Sequence, residues 1–220
     1  MIHIEHFTFN SFQTSCFIAW DEEGNCTFVD PGCNSDTEMK RLTGFVAEKG
    51  LKPTCIMLTH GHFDHILGVA GLAGYYGDIP VFMHPADKFT LENNTYFCRA
   101  FGAPMPENFQ TSDVKEGDEV TVGSLKFEVI ETPGHTVGGV CYLERENGIL
   151  FSGDTLFAGA IGRSDHPGGD YDQLMKSIFE KIMTLDGAFI VHPGHGPSTD
   201  IATERMTNPF LMPFNEPFED

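Results

Sequence analysis

Short apolar runs alternate with turn-forming residues along the chain, and their periodicity predicts its secondary structure. The first third contains three strand patterns with apolar residues at alternate positions, IHIEHFTF, SCFIAW and CTFVD, and a hairpin turn at DEEGN. The segment SDTEMKRLTGFVAEKG then has helical spacing, with Ser35 or Asp36 as its cap and Gly50 as its stop. The chain is therefore predicted to open with three strands followed by a helix.

The middle of the chain is less regular. The run CIMLTH predicts a buried strand, HILGVAGLAGYYG a helix, PVFMH another strand, and PADKFTLENN the start of another helix. Residues 94–113 mix aromatic residues with Pro and Gly. For this segment three interpretations stay open: a lid or loop beside a functional site, an interface element, or a surface loop whose aromatic side chains pack into the core.

The second half repeats the combination of strands and helices. The runs DEVTVG, LKFEVIET, GVCYLE and GILFSGD predict a second group of strands, and AFIVHPGHG predicts the last one. Between them, GGDYDQLMKSIFEKIMTL has one apolar stripe, formed by Leu174, Ile178, Ile182 and Leu185. We predict a single domain over residues 1–220 with two sheets and helices outside them, an α/β fold built as a four-layered αββα sandwich.

Charge and cysteine content exclude several classes of partner. The chain has 32 acidic and 13 basic residues, a net charge of −19, which argues against binding to nucleic acid or to an anionic membrane surface. The N-terminus lacks the pattern of a signal peptide, and no apolar run reaches transmembrane length. Six irregularly spaced cysteines without a CxxC pair predict reduced thiols, so we expect a cytoplasmic protein. Its oligomeric state stays open.

Seven potential metal ligands occur in four short motifs, HGHFDH, TPGHTVGG, FSGDTLF and HPGHGP. They are His60, His62, Asp64, His65, His135, Asp154 and His195. Each motif follows an apolar, strand-like run, and side chains at the ends of adjacent strands can converge on one point. Imidazole and carboxylate suit zinc, iron and manganese, so the motifs predict a binuclear metallohydrolase.

In this order the four motifs resemble those of the metallo-β-lactamase superfamily. The DPG turn at 30–32, GRSD at 162–165 and ERMTNPFL at 204–211 are similar to the hydroxyacylglutathione hydrolase (glyoxalase II) branch, and more specifically to its short bacterial form. The resemblance covers nearly the whole chain. It implies the four-layered fold and a site with two divalent ions, expected to be zinc, with iron or manganese as alternatives.

The resemblance also divides the ligands into two sets. It implies that His60, His62 and His135 hold the first metal, that Asp64, His65 and His195 hold the second, and that Asp154 bridges the two. The chemistry of the ligands agrees with this division. His60 and His62 lie two residues apart on a tight loop and can point the same way, and only a carboxylate can give one oxygen to each of two cations.

Several residues near these motifs have open interpretations. Asp30 either forms a simple Asp-Pro-Gly turn or is a buried carboxylate that orients the metal loop, as the resemblance suggests. Arg163 either holds a substrate carboxylate or pairs with an acidic neighbour, and Asp165 is predicted to be structural. Cys33 has no assigned role, although it can lie near the pocket. The other histidines fit no ligand pattern and are predicted to be structural: His3, His6, His84, His166 and His192.

The predicted reaction is thioester hydrolysis, of the S-lactoylglutathione type, by a metal-bound hydroxide. Asp64 and Asp154 are the predicted catalytic residues, and Asp64 is expected to aim the nucleophile. A thiolate leaves without a general acid because a thiol has a pKa of about 8.5. Only 25 residues follow His195, too few for the helical domain with which longer glyoxalase II enzymes bind glutathione, so the thiol part of the substrate stays open.

Two alternatives belong to other functional classes. One is a persulfide dioxygenase, a resemblance that would require a single iron held by His60, His135 and Asp154. The other is a metal-binding module without catalysis, which the complete ligand set disfavours. Flavodiiron reductases typically have Glu at the position of His62, so this residue argues against them. Metal content measured together with turnover would separate the alternatives.

Overall fold

Two six-stranded β-sheets face each other in the computed structural model, which describes residues 1–212. The strands of the first sheet, in spatial order, are β1 (His3–Phe9), β2 (Thr14–Trp20), β3 (Asn25–Val29), β4 (Lys52–Met57), β5 (Val81–Met83) and β6 (Ser112–Asp113). The pairs β1–β2 and β2–β3 are antiparallel, and the remaining pairs are parallel. The parallel strands therefore all end at the same edge of the sheet.

The second sheet is mostly antiparallel. It contains β7 (Glu119–Val122), β8 (Leu125–Glu131), β9 (Val140–Glu144), β10 (Ile149–Gly153), β13 (Ile190–Pro193) and β14 (Thr199–Asp200), in the spatial order β14-β13-β10-β9-β8-β7. Its one parallel pair is β10–β13. A small hairpin of β11 (Leu156–Phe157) and β12 (Ala160–Ile161) stands apart from both sheets.

Within residues 1–212, six α-helices connect or follow the strands. They are α1 (Asp36–Lys49), α2 (Phe63–Ile66), α3 (Val69–Tyr75), α4 (Lys88–Phe101), α5 (Tyr171–Ser177) and α6 (Ile201–Thr207). The predicted ends of α1 are confirmed, because the side chain of Ser35 accepts a hydrogen bond from the amide of Glu38, and Gly50 ends the helix with a φ of 65°. The predicted helix after residue 170 is α5, which continues as a π-helical turn over Ile178–Ile182.

Side chains that alternate along the strands build the four layers. In β2, Phe17 and Ala19 enter the core between the sheets, whereas Ile18 enters the core beneath α1 and α3. In β9, Tyr142 faces the core between the sheets and Leu143 faces the one beneath α5 and α6. Since β2 and β9 bury both faces, helices must cover the outer face of each sheet at these strands. The predicted four-layered αββα sandwich is confirmed.

The prediction that residues 94–113 are irregular is wrong for its first part. Residues up to Phe101 belong to α4, and the irregular stretch begins at Gly102, which has a φ of 65°. Asn94, Phe97 and Cys98 are buried at helical spacing, so tertiary packing stabilises a segment whose polar and aromatic composition is not typical of a helix. The aromatic residues of this segment therefore have a defined orientation.

Two further observations concern the chain as a whole. All six cysteines are buried and none is in a disulfide. No helix in residues 1–212 is long and apolar enough to cross a membrane.

Candidate metal centre

Four loops from both sheets meet at one edge of the sandwich. The HGHFDH loop follows β4 and leads into α2, and the other three loops follow β8, β10 and β13. The structure brings all seven predicted ligands together at this edge. They are His60, His62, Asp64, His65, His135, Asp154 and His195. The convergence expected from strand ends is therefore observed between segments that are up to 135 residues apart, from residue 60 to residue 195.

The first ligand group consists of three buried histidines, His60, His62 and His135, whose ligand atoms lie within 4.8 Å of one another. The Nδ1 atom of His62 is 2.9 Å from the Nε2 atom of His135. The Nε2 atom of His60 is buried without a hydrogen-bond partner. Burial first, and neighbouring histidines second, lower the pKa of His60 well below its usual value, so this ring is neutral and able to bind a cation.

The second group contains a carboxylate. Asp64, His65 and His195 have their ligand atoms within 4.8 Å of one another. The Nε2 atoms of the two histidines are 3.3 Å apart, and each is 3.5 Å from Oδ2 of Asp64. His65 is fully buried, whereas the side chain of His195 is 30% exposed, so this group opens toward solvent.

Asp154 lies between the two groups. Its Oδ2 atom is 3.5 Å from Nε2 of His135 in the first group and 3.5 Å from Nε2 of His195 in the second. Its Oδ1 atom is 3.5 Å from Nε2 of His65 and has no hydrogen-bond partner. The carboxylate of Asp154 thus faces both groups.

These distances fit metal ions. Ligand atoms placed tetrahedrally around zinc, at about 2.0–2.1 Å from it, lie about 3.3–3.4 Å apart. The closest separations within and between the groups run from 2.9 to 3.5 Å. Imidazole nitrogens and carboxylate oxygens converge here without enough hydrogens to satisfy one another, as the unpartnered atoms of His60 and Asp154 show. The donor set is therefore suited to two divalent cations.

Charge differs between the two groups. Burial acts to lower the pKa of His65, but the surrounding carboxylates of Asp64, Asp154 and Asp30 outweigh it and raise this pKa to about 10. Burial acts to raise the pKa of Asp154, but its histidine neighbours, His65 first, hold this pKa below its usual value. Negative charge is therefore concentrated around His65, and a cation is stabilised there.

Asp30 orients two of the candidate ligands, His65 directly and His60 through Thr59. Its Oδ1 atom accepts a hydrogen bond from the amide of Thr59 (2.8 Å), and its Oδ2 atom accepts one from the Thr59 hydroxyl (2.6 Å) and lies 3.1 Å from Nδ1 of His65. The Thr59 hydroxyl is also 3.0 Å from Nδ1 of His60. Asp30 has a φ of 48° and is buried. Of the two interpretations, these contacts support the orienting carboxylate, which leaves Nε2 of each histidine free to bind metal.

Backbone carbonyls orient two other histidines in the same way. Nδ1 of His135 is 2.7 Å from the carbonyl oxygen of Arg163, and Nδ1 of His195 is 3.1 Å from that of Phe12. The Thr14 hydroxyl donates a 2.7 Å hydrogen bond to Oδ2 of Asp64. An outer partner fixes the orientation of each of these ligands, as is usual in metal sites.

Two residues that the motifs do not identify hold the first ligand group. Asp87 is fully buried, and its Oδ1 atom accepts hydrogen bonds from the amide of Gly138 (3.0 Å) and the hydroxyl of Thr90 (2.8 Å). Its Oδ2 atom accepts one from the amide of Gly61, and Asn94 donates a 2.8 Å hydrogen bond to the carbonyl oxygen of Gly61. The peptide between the first two histidine ligands is thus held on both sides. The sequence contained no sign that Asp87 and Asn94 hold this peptide, since both lie in the run PADKFTLENN, which fits an ordinary helix start.

A cleft with a volume of about 430 Å³ leads to the ligands. His166 lines it, and its ring centroid lies 5.0 Å from those of His62 and His135. The sequence predicted only that His166 is structural, and it did not indicate this position beside the first ligand group, which His166 takes because the GRSD loop folds back there. The side chain of Arg163 also lines the cleft, where it makes a two-point ion pair with Asp165 at 2.9 and 3.1 Å.

The remaining residues singled out from the sequence lie elsewhere. His192 packs against the rings of Phe17 and Phe151, at centroid distances of 5.1 and 5.4 Å. His84 is 3.0 Å from a carboxylate oxygen of Glu131. The other three also lie away from the ligands: His3 stacks on Trp20, His6 stacks on Phe17, and Cys33 is buried beside another cleft.

The fold and the ligand arrangement together define the class of protein. The sequence profile of the metallo-beta-lactamase superfamily matches residues 10–195, and the chain belongs to this superfamily. The family predicted from the motifs is thus confirmed.

Three individual relatives are similar to this chain over nearly its whole length. The chain is 35% identical to the hydroxyacylglutathione hydrolase GloC of Haemophilus influenzae, over 96% of this chain and 98% of that protein. The crystal structure of the BLEG-1 B3 metallo-beta-lactamase is similar with a TM-score of 0.87 and 34% identity, over 95% of this chain and 99% of that one. The structure of TTHA1623 in a di-iron-bound form is similar with a TM-score of 0.83 and 36% identity, over 94% of this chain and 100% of that one.

Proposed function

We propose that this protein is a two-metal hydrolase that cleaves thioesters of the hydroxyacylglutathione type. The observation that carries the proposal is the position of Asp154, with carboxylate oxygens 3.5 Å from histidine nitrogens of both ligand groups. A carboxylate in this position suits two cations held side by side. The similarity to the hydroxyacylglutathione hydrolase GloC over 96% of the chain supports the choice of substrate.

The ligand sets follow the two groups. His60, His62 and His135 would hold one ion and Asp64, His65 and His195 the other, with Asp154 shared between them. Zinc fits a site rich in imidazole, and the di-iron-bound relative supports iron as the alternative. When bound, two such ions supply Lewis acidity and a water nucleophile that is deprotonated near neutral pH.

The residues around the ligands supply positioning. Asp64 keeps one side of its carboxylate toward the cleft, because the Thr14 hydroxyl holds Oδ2 at 2.7 Å, and the carboxylate can accept a hydrogen bond from the attacking water and orient it. The rings of His135 and His195 are held through Nδ1 by backbone carbonyls, so Nε2 of each keeps its direction during turnover. A thiolate leaving group needs no proton donor, since a thiol has a pKa of about 8.5.

The test is metal content and turnover on the same preparation. We expect two metal ions per chain and hydrolysis of S-lactoylglutathione, followed as loss of the thioester absorbance. A parallel assay with glutathione persulfide and an oxygen electrode examines the dioxygenase alternative. One iron per chain with oxygen consumption and no thioester hydrolysis would contradict the proposal, as would two metals with neither activity.

A further inference from the structure

Aromatic rings form the walls of the cleft in front of the ligands. Helix α4 contributes Tyr96, Phe97 and Phe101, which lie on the cleft side at helical spacing. Phe97 is buried, whereas Tyr96 is 58% and Phe101 is 54% exposed. Large aromatic side chains with this exposure at the mouth of a concave site offer apolar area that a ligand can cover.

The opposite wall continues the same surface. The ring of Phe12 packs edge-to-face on Phe63 at 5.0 Å and on Phe101 at 5.6 Å, so the three rings support one another. Phe157 packs edge-to-face on the ligand His195 at 6.2 Å. Aromatic rings therefore line the cleft both at its mouth and beside the second ligand group.

Charge inside the cleft is balanced. Apart from the carboxylate ligands, the charged side chains that line it within residues 1–212 are those of Arg163 and Asp165. These two form a two-point ion pair with each other, which uses two of the five guanidinium hydrogens and balances the charge of Arg163. The whole chain carries a net charge of −19. At the mouth of the cleft, away from the metal-binding residues, a substrate carboxylate would thus meet exposed aromatic rings and an arginine whose charge Asp165 already balances.

We propose that the cleft selects thioesters with an uncharged apolar group, aryl or branched alkyl, next to the scissile bond, on either the acyl or the thiol side. The inference rests on the proposed thioester hydrolysis and extends its substrates beyond the glutathione thioesters. Such a group removes the faces of Tyr96 and Phe101 from water, which favours binding in proportion to the apolar area covered. An apolar group would make the same contacts with the aromatic rings whether it belongs to the acyl part or to the thiol part of the thioester. The test substrates distinguish these two positions.

The test compares matched thioesters on the metal-loaded protein. Lactoyl thioesters of benzyl mercaptan, of 3-mercaptopropionate and of glutathione share one acyl group and differ in the thiol. The phenylacetyl thioester of 3-mercaptopropionate carries the aryl group on the acyl side instead. We expect kcat/KM to be at least about tenfold higher for one of the two aryl thioesters than for the two lactoyl thioesters of the anionic thiols. The preferred aryl thioester identifies the side that the cleft holds.

A variant and its control assign the effect to the cleft. Phe101→Ala should lower kcat/KM for the preferred aryl thioester about tenfold more than kcat/KM for the lactoyl 3-mercaptopropionate thioester. Tyr75→Ala removes an aromatic side chain that is 70% exposed and lies outside this cleft, and it should change neither value. Equal losses for both substrates in Phe101→Ala would overturn the assignment.

A binding measurement keeps the inference separate from the proposed activity. The thioether analogue of the preferred aryl thioester cannot be hydrolysed, and calorimetry should detect its binding to the wild type and a roughly tenfold weaker binding to Phe101→Ala. If no thioester is cleaved, the proposed function fails, and the thioether titration still decides whether the cleft is apolar-selective. If thioesters are cleaved but glutathione or 3-mercaptopropionate thioesters are preferred, the function stands and the inference fails.

Discussion

The two ligand groups of the metal centre are supported in different ways. The first group consists of neutral histidines, and the peptide of Gly61 between two of them is held by Asp87 and Asn94. The second group includes the carboxylate of Asp64, and Asp30 contacts its His65 directly but reaches His60 of the first group only through the Thr59 hydroxyl. Carboxylates raise the pKa of His65 to about 10. The first group thus depends mainly on rigid geometry, and the second depends mainly on negative charge.

Exposure separates the groups further. The three histidines of the first group are buried, while the side chain of His195 in the second is 30% exposed. Coulomb interactions weaken where water enters, so the second group needs its additional carboxylates to bind a cation as firmly. We therefore expect a substitution of a residue that supports one group to weaken the binding of the ion at that group first.

The largest effect is expected where the two groups join. Asp154→Ala removes the ligand that faces both groups, so hydrolysis should fall by at least about a thousandfold and both ions should bind weakly. Metal analysis after dialysis and kcat/KM for S-lactoylglutathione check this. Asp36→Ala, at the exposed start of α1, is the control for loss of a carboxylate and should behave as wild type. Full activity with two metals would exclude Asp154 from the centre.

A smaller effect is expected from a ligand of one group only. His62→Ala should lower the metal content from two ions toward one, while the protein stays folded because the ligand loop lies at the edge of an independently packed core. Metal analysis and a thermal unfolding curve measure the two properties. His192→Ala is the matched control, since this histidine packs against Phe17 and Phe151 and should leave the metal content unchanged. The opposite result would mean that the ligands are wrongly assigned.

The supporting carboxylates test the comparison directly. Asp30→Asn keeps the shape of the side chain, and Asn tolerates the φ of 48°, but it removes the charge behind His65. Outer partners of this kind contribute about 10–100-fold to metal affinity, and we expect a loss in this range on the second ion. Competition with a chelator measures the affinities of the two ions in turn.

Asp87→Asn is the counterpart on the first group. It removes an acceptor from the amide of Gly61, which costs about 1–3 kcal/mol in the free energy of unfolding and loosens the first ion by a smaller factor. Cobalt spectra distinguish the two ions, because the variant should perturb the band of the first site and leave that of the second. If both Asp30→Asn and Asp87→Asn weaken the same ion, the two groups are not supported separately.

The smallest effect concerns His192, which lies outside both groups. Burial, and His6 second, lower the pKa of His192 to about 4, below the value of about 6.5 for an unfolded chain. Between these values the unfolded state binds the additional proton, so stability falls as the pH drops through this window and is fully present above it. His192→Gln should remove at most about 1.4 kcal/mol per pH unit of this dependence. Urea unfolding at pH 5 and pH 7, with a chelator present, measures the change.

Local patterns were sufficient for much of the fold. The cap at Ser35 and the stop at Gly50 are set by hydrogen bonds within one turn, and alternation along the strands is a property of neighbouring residues. The segment from residue 94 to Phe101 was misjudged because its composition is a poor helix signal. Its helical structure depends on burying Phe97 and Cys98 beneath the ligand loop, and such packing is invisible in the segment alone.

The sequence by itself was enough to predict the seven candidate ligands and to determine the family, since each candidate lies in a short motif at the end of a strand. Only the tertiary structure decided which side chains hydrogen-bond to the segments that carry these residues and which side chains line the cleft. Asp87 reaches Gly61 across 26 residues and Gly138 across 51, and the aromatic cleft combines α4 with a turn near Phe12. Such contacts leave no periodic trace, because a buried hydrogen bond constrains two distant positions and nothing between them.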